Sequence, residues 1–198
     1  MKKVLLIGAA IFALLLSGCS TKVTRVDVGE TIDLSGDWND ADSRMTGETM
    51  IRDMLNAPWL ARFYAASKKA PVLTVGEIKN LSHEHINTQT FISDIQRAVI
   101  NSGEARFIAS RDDRLSARDE RVEQDQYAKE DTRKKERQEI GADFIVGGSI
   151  NTIIDSEGKT AVKYYQVDLT LTNIESQEIV WNGQEKIKKL VENKRVRP

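Results

Sequence analysis

The chain reads as α/β: a single-domain mixed sheet with a C-terminal antiparallel meander, flanked by helices. Three observations carry that reading. Tyr165, Val167, Leu169 and Leu171 alternate with Gln166, Asp168, Thr170 and Thr172, the period of two that buries one face of a strand. Residues 144–154 (FIVGGSINTII) are apolar almost throughout, as in a central strand. Upstream, a helical pattern over 88–101 lies between two short apolar runs, 71–77 and 105–110, giving the order strand, helix, strand.

The first residues are not part of that domain. Lys2 and Lys3 precede an apolar run over 4–16, which is short for a membrane span and of the right length for a secretory leader. It ends in Leu16-Ser17-Gly18-Cys19, and Cys19 is the chain's single cysteine. These four residues resemble the lipobox of bacterial lipoproteins. The resemblance implies cleavage between Gly18 and Cys19 and acylation of Cys19. Ser20, where an Asp would favour retention in the inner membrane, implies the outer membrane of a Gram-negative envelope. Two or more acyl chains anchor a protein stably where one does so marginally.

The organisation is then a signal peptide over 1–18, a tether over 19–36, a globular domain over 37–190 and a basic tail over 191–198. Losing the leader leaves 180 residues and moves the formal net charge from −1 to −3. That length suits one domain with a hydrophobic core. The near-neutral balance argues against nucleic acid as a partner. The tether is polar and weakly extended. At ~3.3–3.6 Å per residue it spans at most roughly 50–70 Å.

The domain opens with a helix over 40–55. Asn39 or Asp40 caps it, and Met50, Ile51, Met54 and Leu55 form its inward stripe. Pro58 starts a second helix whose Trp59, Leu60, Phe63 and Tyr64 share an apolar face. A strand over 71–77 and a polar loop over 80–86 follow. Phe91, Ile92, Ile95 and Val99 then face inward from the helix over 88–101, which Ser102-Gly103 closes. After a strand over 105–110, residues 112–139 read as a long charged surface helix. Asp125/Lys129, Glu130/Lys134 and Asp131/Lys135 are spaced as acid-before-base pairs, and apolar anchors are sparse. The meander follows, with turns at 155–158 and near 175–177, and Ile179-Val180-Trp181 opening the last strand.

Candidate chemistry is thin. His83-Glu84-His85 places two histidines on one face of an extended segment, but zinc requires three or four converging ligands and these are the only histidines. Their plainer reading is a polar loop, so no metal or cofactor is expected. No nucleophile elbow, phosphate loop or dinucleotide fingerprint occurs, and neither catalysis nor a small-molecule substrate is expected. Gly147-Gly148 inside an apolar strand marks a close backbone approach. Trp59 and Trp181 belong to core patterns. Trp38, in Gly36-Asp37-Trp38-Asn39, either caps the domain's own core or is exposed to anchor a partner, and is the candidate partner-binding residue. Lys186, Lys188, Lys189, Lys194, Arg195 and Arg197 make the end locally basic, as a solvated tail or a weak attractor of anionic surfaces.

Several of these stretches, in this order, resemble the lipoprotein activators of penicillin-binding proteins, the LpoB-like family. They are the lipobox, the run from Trp38 to Arg44 (WNDADSR), PVLTVGEIKNLSHEHI, Ile100-Asn101-Ser102-Gly103, IGADFIVGG from Ile140, and YQVDL from Tyr165 leading to EIVWNG from Glu178. The resemblance implies an outer-membrane lipoprotein on the periplasmic side. Its globular domain would bind and stimulate a bifunctional (class A) peptidoglycan synthase by contact, without catalysis of its own. The chain departs from the pattern in one respect: it has no proline between Cys19 and Pro58, where the best-known members carry a long proline-rich linker. The alternative resemblance is to a subunit of a curli-type lipoprotein secretion channel. A pore requires long lipid-facing alternating strands, and the alternating segments here are already used by the domain's own sheet.

Overall fold

The computed structural model describes residues 23–27, 29–135 and 137–192. Gly18, Cys19 and the leader lie outside these residues, as do residues 193–198. The described residues before Thr31 fall in a separate unit, and among them the Asp27 carboxylate accepts from the Gly29 N–H at 2.7 Å.

From Thr31 onward the order is α1 (Asp40–Asn56), α2 (Pro58–Ser67), β1 (Val72–Asn80), α3 (Thr88–Ser102), β2 (Arg106–Phe107), α4 (Arg111–Tyr127), β3 (Phe144–Glu157), β4 (Thr160–Asn173) and β5 (Ile179–Glu192). The five strands form one sheet in the order β2-β1-β3-β4-β5. β1 pairs in parallel with β2 and β3, while β3, β4 and β5 form the expected antiparallel meander.

Local chemistry sets the helix ends. Asn39 accepts from the Asp42 N–H at 3.1 Å while the Asp42 carboxylate accepts from the Asn39 N–H at 3.0 Å, a capping box that starts α1. Pro58 opens α2, and the Trp59 indole N–H donates to the Met54 carbonyl at 2.7 Å, satisfying an end of α1. Gly103 ends α3 at φ 71°, a left-handed conformation that favours glycine. Phe91, Ile95 and Val99 from α3, and Met50, Ile51 and Met54 from α1, are buried with Tyr165, Val167, Leu169 and Leu171 of β4. The period-two expectation for β4 is therefore met. So is the close approach at Gly147-Gly148: a Cβ on Gly148 would collide with the Asp168 carbonyl of the neighbouring strand.

Five expectations are corrected. The strand over 105–110 shrinks to Arg106–Phe107, because it lies at the sheet edge and pairs only with the start of β1. β1 runs on to Asn80, beyond the expected end at 77. The charged helix stops at Tyr127, and none of its residues is buried. Charge pairs alone do not sustain a helix lacking an apolar face; Arg133 instead folds back to Asp125 at 2.9 Å. The turn at 155–158 moves to Gly158-Lys159, since β3 and β4 stay paired as far as Glu157 and Thr160. β5 extends through Glu192, so Lys186, Lys188 and Lys189 are strand residues.

Candidate docking face and the strap that enters the domain

The chain enters the domain through a strap, Asp33 to Asn39, held by two lysines. Lys163 and Lys189 are directly opposite each other on β4 and β5, on the inward face beside Tyr165. Their side chains are only 15 % and 11 % exposed. Lys189 Nζ lies 2.8 Å from Asp33 and 2.6 Å from Asp42, and donates to the Asp37 carbonyl at 3.0 Å. Lys163 Nζ pairs with Asp37 and, at 3.1 Å, with Glu84. Glu84 also accepts from the Trp38 N–H at 3.0 Å and the Tyr165 hydroxyl at 2.7 Å.

The electrostatics follow from this crowding. Burial opposes charge on both lysines, yet the hydrogen bonds that Lys163 donates to Asp37 and Glu84 raise Lys163, and those that Lys189 donates to Asp33 and Asp42 raise Lys189. The hydrogen bond from Lys163 lowers Asp37. Burial pushes the Tyr165 phenol far up, and Glu84 adds to it. Lys163, Lys189 and Asp37 are therefore held in their charged forms at neutral pH, while Tyr165 stays neutral. Gly36 sits within it at φ 72°, with Val191 occupying the space a side chain would need.

Trp38 is half-buried. Its ring meets Tyr165 edge-on at 5.7 Å between centroids and Phe91 at 6.4 Å. It packs against the edge of the core. His83 Nδ1 lies 3.1 Å from the Thr152 hydroxyl. Among the described residues no group of three or more His, Cys, Asp or Glu is gathered as for a metal ion. The lysine network was missed in the sequence, although one signal was present. Counting back from Tyr165 in steps of two puts Lys163 in the inward series, and a charge there requires a buried partner.

The opposite sheet face is polar at its centre and apolar at one end. Asp168 accepts from Gln166 at 2.8 Å and from Gln184 at 2.7 Å. Towards the β3–β4 hairpin, Ile153 lies opposite Tyr164 and then Lys188, while Asp155 lies opposite Val162 and then Leu190. Ile153 is 66 % exposed and Leu190 65 % exposed. Ile153 on β3, Tyr164 and Val162 on β4 and Leu190 on β5 lie on this face, with Asp155, Lys186 and Lys188 among them; exposed apolar side chains grouped this way are suited to protein contact.

Fold and surfaces together define an α/β module that offers a strand face for contact and receives its N-terminal leash through an ionic strap. The chain belongs to the family of the peptidoglycan-synthase activator LpoB, whose family model matches residues 42–187. Among solved structures it is similar to the LpoB C-terminal domain from Escherichia coli, at 16 % identity and TM-score 0.43, covering 75 % of this chain and 99 % of that one. It is also similar to E. coli LpoB solved by NMR (14 %, TM-score 0.38, 90 % and 85 % covered). A third similar structure is lipoprotein GNA1162 from Neisseria meningitidis (14 %, TM-score 0.37, 65 % and 88 % covered). No curated protein matches the chain. Family membership supports a role in activating peptidoglycan synthesis as a regulator. Among the described residues no helix is long and apolar enough to cross a membrane.

Proposed function

We propose that this chain is an outer-membrane lipoprotein, anchored on the periplasmic side through Cys19, that binds and stimulates a class A penicillin-binding protein. The observation that carries this reading is the family match over residues 42–187. The motif Leu16-Ser17-Gly18-Cys19 supplies the anchor and Ser20 the destination. The patch around Ile153, Tyr164 and Leu190 supplies the contact, with lysines at its rim for an acidic border on the partner. Trp38 contributes by seating the strap against the core.

The strap shortens the leash. Asp33 is paired with Lys189, and fourteen residues, Cys19 to Ile32, lie between the anchor and that point. At ~3.3–3.6 Å each they reach at most about 50 Å from the membrane. The synthase must therefore come to the domain near the outer membrane. Activation requires tighter binding to the synthase's active conformation than to its resting one.

The test is a photo-crosslinking residue at position 190, or at 153, in living cells. The expected product is a covalent adduct with a class A synthase, absent when the probe sits at exposed Glu123 on α4. Normal expression and localisation with no synthase adduct from either patch position would refute the reading.

A further inference from the structure

The carboxylates of the strap are second partners to the lysines, never sole ones. Lys189 meets Asp33 of the strap at 2.8 Å and Asp42 of α1 at 2.6 Å. Lys163 meets Asp37 of the strap and, at 3.1 Å, Glu84 in the loop after β1. The Tyr165 hydroxyl has the Gly36 carbonyl at 3.1 Å and Glu84 at 2.7 Å. Lifting residues 33–37 away therefore strands none of these donors, because each keeps an acceptor fixed in the domain. A broken ion pair is costly chiefly when it leaves a buried charge alone, and none is left alone here. Little else holds the segment. Asp33, Leu34, Ser35 and Asp37 are exposed, and among the described residues no backbone-to-backbone hydrogen bond joins 33–37 to the sheet. Its own bonds travel with it: Asp33 accepts from the Gly36 N–H at 2.9 Å and Ser35 from the Asp37 N–H at 3.2 Å. At Trp38 the attachment changes character. That ring packs on Tyr165 and Phe91, and Asn39 beside it caps α1.

We propose that Asp33 to Asp37 is a releasable latch, which leaves Lys163 and Lys189 while the domain stays folded and lengthens the leash from fourteen residues to nineteen. At ~3.3–3.6 Å each, the five added residues extend the reach by up to about 18 Å. Tension on the leash acts on Asp33 first, so its contact with Lys189 parts before those of Asp37, and the segment peels instead of tearing off at once. Local opening of this kind falls to segments with few buried contacts. The latch stands on the contacts just described, whereas the use of its length rests on the Cys19 anchor and the synthase contact proposed above.

The test reads undocking and stability separately in the full-length acylated protein in detergent micelles. Spin labels on Leu34→Cys and Asn182→Cys, both exposed positions, report the docked distance by double electron–electron resonance. The parent shows a narrow docked distance, and a broad second population grows as salt rises. Asp33→Ala with Asp37→Ala removes only the strap's carboxylates, and Gly36→Ala drives a side chain into Val191. In both, the broad population becomes the major one while Tm stays within about 3 °C of the parent, as for a surface change. A single docked distance in both variants, or undocking with a larger fall in Tm, overturns the latch. In cells, Gly36→Cys with Val191→Cys locks it: Val191→Cys removes the methyl that a Cβ on Gly36 would meet, and the two Cβ atoms lie about 3.7 Å apart, within disulfide range. The lock lowers the synthase adduct from position 190 several-fold, and five residues inserted after Ser20 restore it. In detergent solution the locked protein binds the synthase as the parent does. A full adduct from the locked protein overturns the role in reach. No adduct from the unlocked parent is instead a failure of the synthase reading, and the spin labels then decide the latch.

Discussion

Replacing Glu84 by alanine is the sharpest probe of the strap. The substitution removes the acceptor for three donors at once: Lys163 Nζ at 3.1 Å, the Tyr165 hydroxyl at 2.7 Å and the Trp38 N–H at 3.0 Å. Bonds to a charged group contribute about 1.5–3 kcal/mol each, which sets a ceiling near ~9 kcal/mol for the three. Two donors keep a second partner, because Lys163 retains Asp37 and Tyr165 turns to the Gly36 carbonyl at 3.1 Å. The Trp38 N–H, in a part-buried position, keeps none among the described residues. The expected loss is therefore about 2–4 kcal/mol, a fall in Tm of roughly 5–12 °C for a domain of this size. Glu84→Gln, which preserves one acceptor oxygen but not the charge, falls between the two. The assay is urea and thermal unfolding of the purified protein, with proteolysis near Asp33 reporting release of the strap. A loss below about 0.5 kcal/mol, typical of an ordinary surface change, refutes the view that the network holds the entering chain.

Three further outcomes follow from the structure. Gly148→Val drives a side chain into the Asp168 carbonyl and costs about 3 kcal/mol or prevents folding, read by soluble yield and denaturant midpoint. Ile153→Asp combined with Leu190→Asp leaves unfolding within about 0.5 kcal/mol of the parent, because both side chains are largely exposed, and weakens synthase binding at least tenfold in a pull-down titration. Glu139 pairs with Arg118 and Arg121 of α4 and is depressed from 4.5 to about 2, so its hold on α4 is present above pH 4.5 and is lost as pH falls through about 2; amide exchange in 111–127 rises over that window, and earlier in high salt.

Elements whose signal is local were legible in the sequence. The alternation at Tyr165 to Thr172, the Asn39 cap and the Gly103 stop each depend on neighbours a few residues away, and each appears in the structure where expected. What depends on distant partners was not legible. Lys163 meets Asp37 from 126 residues away, and only the sheet register brings them together. Residues 105–110 carry a strand composition but occupy a short edge, where pairing and not propensity sets the length. Asp155, Ser156 and Glu157 look like a turn, yet the hairpin ladder carries them on until Gly158 supplies the left-handed residue at φ 61°. The charged stretch past Tyr127 had helical propensity without an apolar stripe to dock, and the chain folded back on itself instead. For the site, the exposed patch was hidden because Ile153 is one residue of a nearly continuous apolar run, and only the sheet register fixes which face it and Leu190 occupy.

The most direct measurement is the rate of glycan polymerisation by a purified class A synthase of the host, with and without this protein at equimolar concentration. A rise in rate that disappears with Ile153→Asp and Leu190→Asp is the predicted result. An unchanged rate with tens of micromolar folded, acylated protein present would contradict it.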